Sequence, residues 1–236
     1  MKWKLCLIIF LVIFSGIIFY KTTGNTIKQE FFVAKVVDGD TITLENGLKV
    51  RLLGINTPEK NMLYYNEAKE FLKQKIENKT IELEINPNNK YDKYNRILAH
   101  VFLNKELVNK EILENGLGNL YYYGKDSHFN ELKDAEKRAK ANHLGIWKKS
   151  DDAECLSLVR LKYLEEERCK NQEQLILFNN CEEISVKIKD SANHIFKEKI
   201  NRGIYEKNFS CVFNDDGDSL FIWDEKGLVL YSEYSP

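Results

Sequence analysis

An Asn-Gly pair at 46–47, set between two runs of β-forming residues, restricts this chain more than any other local feature. A tight hairpin needs residues that tolerate positive φ, and Asn-Gly flanked by alternating apolar runs is the strongest short-range signal for one. Residues 40–45 (DTITLE) and 48–55 (LKVRLLGI) therefore pair, and Asp38-Gly39 separates the first of them from a further run at 31–37 (FFVAKVV). Two more β-patterned runs, 79–85 and 96–103, flank the loop NPNNKYDKYN. Between the third and fourth runs, YNEAKEFLKQKIEN places Ala68, Phe71, Leu72 and Ile76 on one helical face. A helix over 107–115 stops at Gly116, and another runs from about Ser127 to Asn142, closed by Gly145, with Trp147 capping the domain. Five short strands with a helix between the third and fourth give the order of an OB-type barrel, an α+β unit with three helices.

The rest of the chain has a different character. Of 236 residues, Asn25 to Ser150 carry 21 Lys/Arg against 18 Asp/Glu, a net of +3. From Asp151 to Pro236 the count is 11 against 18, a net of −7. Opposite signs in the two halves predict two domains, with any polyanion contact in the first. The overall charge of −1 shows no general basic signature of nucleic-acid binding. After the polar link KKSDDAE, the runs LSLVRLKYL, EQLILFNN, ISVKIKD, FSCVF, SLFIWD and LVLYSEY read as strands of a small all-β domain over 150–236. In the first run Val159, Leu161 and Tyr163 share a face.

The N-terminus belongs to neither half. Lys2 and Lys4 precede a 16-residue apolar run, Leu5 to Tyr20, followed by Lys21. Apolar on every side, it reads as a signal peptide or membrane anchor over 1–24 rather than an amphipathic core helix. With no small-x-small cleavage pattern after it, the expectation is an exported protein anchored to the membrane and facing outward, or secreted if the segment is cut. Four cysteines in the C-terminal half, Cys155, Cys169, Cys181 and Cys211, suit two disulfides in any of three pairings. Zinc is the competing use, but no C-x-x-C pair exists.

The polar residues at the strand ends suggest phosphodiester chemistry. Asp40 supplies a hard anionic oxygen, with Asn56 and the carbonyl of Thr57 as neutral oxygens for a divalent ion. Arg51 and Arg96 are planar donors that grip a phosphate and offset transition-state charge. Glu59 is a carboxylate able to orient or deprotonate a water. Taken singly, each is an ordinary turn or surface residue.

VVDGDTITL, VRLLGINTPE and DKYNRILAHVF, taken in order with NEAKEFL and ANHLGIW, resemble the staphylococcal nuclease (thermonuclease) family over roughly residues 30–149. The resemblance implies an OB-fold nuclease domain (25–149) that hydrolyses DNA or RNA to 3′-phosphorylated products. It implies Arg51, Glu59 and Arg96 as catalytic residues and Asp40, Asn56 and Thr57 as ligands for Ca2+, or for Mg2+ or another divalent ion. Asp92, Lys93, Tyr94 and Tyr122 would then contact the substrate. Two features depart from the family pattern. Asn56 stands where a second calcium-binding aspartate is expected, and the loop after Glu59 is short.

The C-terminal runs resemble, more loosely, a lamin-tail-type immunoglobulin-like sandwich, whose ligand the sequence leaves unknown. Asn214, Asp216, Asp218 and Glu225 have EF-hand spacing, but Ser219 replaces the required glycine, so a turn into a strand is expected. Two other readings stay open: a non-catalytic nucleic-acid-binding OB module, and an envelope scaffold protein.

Overall fold

The computed structural model describes residues 26–122, 126–163, 173–213 and 218–234. The apolar segment expected over 1–24, together with Cys169, Asn214 and Asp216, lies outside them. Among the described residues no helix is long and apolar enough to cross a membrane.

The five expected strands form. They are β1 (Ile27–Val36), β2 (Thr41–Leu44), β3 (Lys49–Leu52), β5 (Thr80–Ile85) and β6 (Ile97–Leu103), with the two-residue β4 (Ile55–Asn56) between β3 and β5. They run in the order β3-β2-β1-β5-β6, and a parallel pairing of β3 with β6 closes the ring into a mixed barrel. β1 serves two partners, β5 along its first half and β2 along its second, and an irregularity between Val33 and Lys35 marks the change. A bulge of this kind bends a strand and lets one segment turn a barrel corner. At the Asn-Gly hairpin, Leu44 N–H donates to Leu48 O at 2.9 Å and Gly47 takes φ +81, as the turn requires. Three helices cover the barrel: α1 (Tyr65–Ile76), α2 (Val108–Glu114) and α3 (Phe129–Ala141). α1 buries Ala68, Leu72 and Ile76 against a core that includes Ile42, Leu52, Leu83 and Ile112. A short pair, β4 with β8 (Asn119–Leu120), lies beside the barrel, and β7 (Glu106–Leu107) extends β6.

The C-terminal half forms two further sheets. One is β13-β10-β9, from β9 (Leu156–Lys162), β10 (Glu173–Asn179) and β13 (Gly203–Phe209). The other is β12-β11-β14-β15, from β11 (Ile184–Lys189), β12 (Ile195–Ile200), β14 (Asp218–Trp223) and β15 (Leu228–Tyr234). Leu175 and Leu177 of the first share one core with Ile188, Leu220 and Ile222 of the second. A disulfide, Cys155–Cys181, ties the start of β9 to the β10–β11 turn, and Cys211 is disulfide-bonded too.

Several details differ from the sequence reading. β12 and β13 were not anticipated. Both are edge strands, IFKEKI and GIYEKNF, in which only Ile200 and Phe209 are fully buried, so charge masks their period. FSCVF is not a strand beyond Phe209. The N–H groups of Val212 and Phe213 donate instead to the buried Glu173 Oε2, at 2.9 and 3.4 Å. Val159 does not share a face with Leu161: it is skipped where Arg160 pairs with Ile176 and Leu158 with Leu177, and it stands 56% exposed.

Nor is KKSDDAE a free link. Leu228 N–H donates to Lys148 O (2.8 Å) and Ser150 N–H to Leu228 O (3.0 Å), so the segment is stitched to β15. Trp147, expected to cap the barrel, is buried with Ala139, Ile146, Phe221, Trp223 and Leu228 in a core between the barrel and the C-terminal sheets. Trp223 Nε1 donates to Ile146 O at 3.0 Å. Burial of such aromatic surface stabilises the docking by roughly 2–3 kcal/mol per side chain.

Candidate active site

The barrel gathers the predicted site residues at one end. Asp40 opens β2, Arg51 lies on β3 opposite Thr41, and Asn56 ends β4. Gly39 is needed here: a Cβ would lie 2.7 Å from Thr57 Oγ1 and 2.8 Å from Ala68 Cβ, so the turn packs directly on the next loop and on α1.

Asp40 is 6% exposed. Its Oδ2 accepts from Thr57 N–H and Thr57 Oγ1, both at 2.9 Å, and pairs with Arg51 Nη2 at 3.2 Å. Its Oδ1 accepts from Thr41 Oγ1 at 3.1 Å. Arg51 also donates to Leu52 O (2.7 Å) and to Asn56 Oδ1 (3.0 Å), which fixes the plane of its guanidinium. Arg96 is braced by Asp92 through two bonds of 2.7 Å, from Nε and Nη2, and reaches Thr41 Oγ1 at 3.3 Å. Glu59 is half-buried. Burial, and then the charge of Asp40, raise its carboxyl above the ordinary range, while Lys189, Arg51 and Arg96 oppose the shift. Asp38, read in the sequence only as part of a turn, is pushed up to about 6 by burial and by Asp40.

Around Arg96 the loop exposes Tyr91 and Tyr94, the latter 68% exposed. Lys90 lies over the Tyr91 ring at 5.1 Å, and Lys93 and Arg96 lie over Tyr94 at 5.2 and 5.3 Å. Open aromatic faces held among cations suit stacked bases of a single strand. Asp92, Lys93 and Tyr94 are thus placed beside Arg96. Tyr122 makes its contacts elsewhere. Its hydroxyl donates to Asp126 Oδ1 and lies 3.3 Å from His100 Nε2, and its ring packs edge-on against Phe129.

Sequence reasoning missed a contribution from the C-terminal half. Asn56 Nδ2 is shared among Ser191 O (3.1 Å), Ala192 O (2.8 Å) and Asn193 Oδ1 (3.1 Å), all in the turn after β11. Asn119 Nδ2 also donates to Ser191 O, at 3.1 Å. The turn is itself braced, with Ser191 N–H on Asp218 Oδ1 at 2.9 Å and His194 Nδ1 2.6 Å from Asp190 Oδ2. Lys189, at the end of β11, is 2% exposed and donates to Asp190 O at 3.0 Å. It lines a small cavity with Thr57, Met62, Asn119 and Trp223. Burial pulls its ammonium down to about 8, opposed in turn by Asp190, Glu59, Asp218 and Asp40. A lysine ending an apolar strand carries no signal of this in one dimension.

The residues from 49 to 149 match the family model described as staphylococcal nuclease homologue. Thermonuclease from Staphylococcus hyicus is 32% identical over 140 residues, covering 54% of this chain and 82% of that protein. The chain belongs to the staphylococcal nuclease family. Thermonuclease from Staphylococcus intermedius is 31% identical over 141 residues, 56% of this chain and 83% of that protein. Endonuclease YncB of Bacillus subtilis is 31% identical over 127 residues, 49% of this chain and 60% of its own length.

The residues expected to hold calcium do not fit it as arranged. Calcium takes six to eight oxygen ligands, carboxylates among them. Among the described residues no group of three His, Cys, Asp or Glu side chains converges on one point. Asp40 is the sole carboxylate of the expected set, and Thr57, Thr41 and Arg51 already occupy its oxygens. The amide oxygen of Asn56 is turned to Arg51.

Proposed function

We propose that this endonuclease of the staphylococcal nuclease family hydrolyses the phosphodiester bonds of DNA or RNA at the barrel end, with Arg51, Glu59 and Arg96 as its catalytic residues. The observation that carries the reading is the pair of guanidiniums held rigid beside a half-buried carboxylate, Arg96 by Asp92 and Arg51 by Asn56 and Leu52 O. Held donors of this kind stabilise charge on a transferring phosphoryl group without reorganising during the reaction. Glu59 takes a proton from water, the water oxygen bonds to phosphorus, and the phosphorus–O5′ bond breaks. The departing oxygen receives a proton from solvent water and leaves as a 5′ hydroxyl, Glu59 returns its proton to solvent, and a 3′ phosphate remains. Asp92 sets Arg96, while Lys93, Tyr94 and Tyr91 hold the strand by charge and stacking.

Three finer readings accompany this one. The apolar run at 5–20 and the cysteine-bearing C-terminal half support an exported protein held at a membrane by residues 1–24. The division into a nuclease domain (25–149) and an immunoglobulin-like sandwich domain (150–236) is supported by the shared core of the two C-terminal sheets. A divalent ion at Asp40 is what the family pattern implies, and the arrangement of Asn56 and Asp40 speaks against it.

The test is digestion of single- and double-stranded DNA and of RNA by the full chain, with end-group analysis of the products. Cleavage to 3′ phosphates that disappears in Arg96→Ala supports the reading. Equal cleavage by the variant overturns it.

A further inference from the structure

We infer that the turn after β11, with the carbonyls of Ser191 and Ala192 and the side chain of Asn193, positions the nuclease site: it holds the Asn56 amide, and through it the Arg51 guanidinium. The inference rests on the nuclease reading above and makes the C-terminal sheets part of that site.

The hydrogen bonds of Asn56 support it first. A side-chain amide can sit in either of two orientations that exchange its oxygen and its nitrogen. On one side of Asn56 lies Arg51 Nη2, 3.0 Å from Oδ1, and a guanidinium only donates. On the other side Nδ2 donates to Ser191 O, Ala192 O and Asn193 Oδ1, at 3.1, 2.8 and 3.1 Å. The opposite orientation sets nitrogen against the guanidinium and oxygen against two backbone carbonyls. Asn56 is 2% exposed, so each of those mismatches is a buried polar group without a partner. The turn therefore decides which atom of Asn56 meets Arg51.

The seat of the turn supports it second. Asn56 pairs with Asn119 across β4 and β8, and Asn119 Nδ2 donates to the same Ser191 O at 3.1 Å. Two buried side-chain amides on neighbouring short strands thus meet one carbonyl of a turn more than 70 positions away in the chain. Gly118 permits the approach, since a Cβ there would lie 2.8 Å from Asn56 O. The residue that departs from the family pattern, Asn56, has the N–H donors that seat the turn, and an aspartate has none.

Rigidity supports it third. Asp218 Oδ1 accepts from the N–H groups of Ser191 and Ser219, at 2.9 and 2.7 Å. Asp190 Oδ1 accepts from His194 N–H at 3.0 Å, and its Oδ2 lies 2.6 Å from His194 Nδ1. The bond from Lys187 Nζ to Asn61 O, at 2.6 Å, holds β11 to the loop that follows Glu59. The acceptors are thus in place before Asn56 meets them, as a supporting shell must be. Arg51 is then fixed by Leu52 O, Asp40 Oδ2 and Asn56 Oδ1, at 2.7, 3.2 and 3.0 Å, and need not reorganise as charge develops on a phosphate. In this role the turn acts through Asn56 and Arg51 without touching substrate.

The experiment is a double-mutant cycle on cleavage of single-stranded DNA by the full chain, in calcium and in magnesium. Ser191→Gly, Ala192→Gly and Asn193→Gly together keep the carbonyls but free the turn, and Asn56→Ala removes the group it holds. Each is expected to lower kcat on the order of tenfold with KM little changed, at an unaltered circular dichroism spectrum. In the Asn56→Ala background the glycine substitutions should lower kcat no further, because the turn acts only through Asn56. An unchanged kcat in the glycine variant, or equal losses in both backgrounds, overturns the inference and leaves the nuclease reading standing. No cleavage by the unmodified chain overturns the nuclease reading and this inference with it. If the glycine variant does not fold, NMR of the Asn56 side-chain amide in the unmodified chain decides. Slow exchange of its protons with water supports the held amide, and exchange at the rate of an exposed asparagine overturns it.

Discussion

The side-chain amide of Asn56 donates to the backbone carbonyl of Ser191 at 3.1 Å, across 135 positions of sequence. One hydrogen-bonding group thereby joins the barrel end that holds Arg51 to a turn of the C-terminal sheets. Asn56→Asp removes the donor from three acceptors and sets a carboxylate against them. The expected outcome is destabilisation of about 2–3 kcal/mol, read by urea denaturation. If calcium were the missing partner, the same substitution would raise stability in calcium.

Under the proposed mechanism, Glu59→Ala and Arg96→Ala are each expected to lower kcat by about 10²–10⁴-fold, the one as loss of the base and the other as loss of a transition-state donor. Asp92→Ala leaves both in place but frees Arg96 from two 2.7 Å bonds, and its loss should be smaller, on the order of tenfold. Single-turnover kinetics rank the three. An Asp92 variant more damaged than the Arg96 variant would refute the ordering.

Trp223→Ala empties part of the core shared by Trp147, Phe221 and Leu228 and removes the bond to Ile146 O. A cost of about 3–5 kcal/mol is expected. Because this core lies between barrel and sheets, calorimetry should show one transition splitting into two. Loss of activity in parallel would follow from undocking of the turn at 189–194.

Cys155→Ser with Cys181→Ser opens a loop with a sequence separation of 26 and is expected to cost about 2–4 kcal/mol. Guanidinium denaturation measures it. A reducing agent should bring the unmodified chain to the stability of the variant or below it.

Asp126 gives stability a pH dependence. Burial pushes its carboxyl up, but hydrogen bonds with His100 and Tyr122 outweigh burial and hold it well below the usual range. Its folded value lies below its unfolded value of about 3.9, so the unfolded chain binds the proton first. The contribution is complete above that value and is lost as pH falls through the folded one. Asp126→Asn should flatten the stability profile below pH of about 4, which thermal melts across pH will show.

The barrel was legible because its signals are local. Asn46-Gly47 set one hairpin, and the β-forming runs 31–37 and 79–85 set two further strands. The period of Ala68, Leu72 and Ile76 set α1 on its apolar side. Arg51, Glu59 and Arg96 could be named because the segments that carry them, VRLLGINTPE and DKYNRILAHVF, resemble the staphylococcal nuclease family. Two edge strands of the C-terminal sheets, β12 and β13, were not legible, since they carry charge where they meet water.

What the sequence determined by itself is thus the barrel, its helices and the identity of the residues at one end of it. The tertiary structure decided what surrounds them. Whether Asn56 faces a metal ion or a protein turn depends on how the barrel and the C-terminal sheets dock. That docking is set by a core of aromatic side chains in which Trp147 meets Phe221 and Trp223, more than 70 residues away in the chain. Periodicity reports which side of an element is buried, and it does not report against what. Lys189 shows the difference, since it reads as the polar end of a strand and becomes a buried cation that donates to Asp190 O.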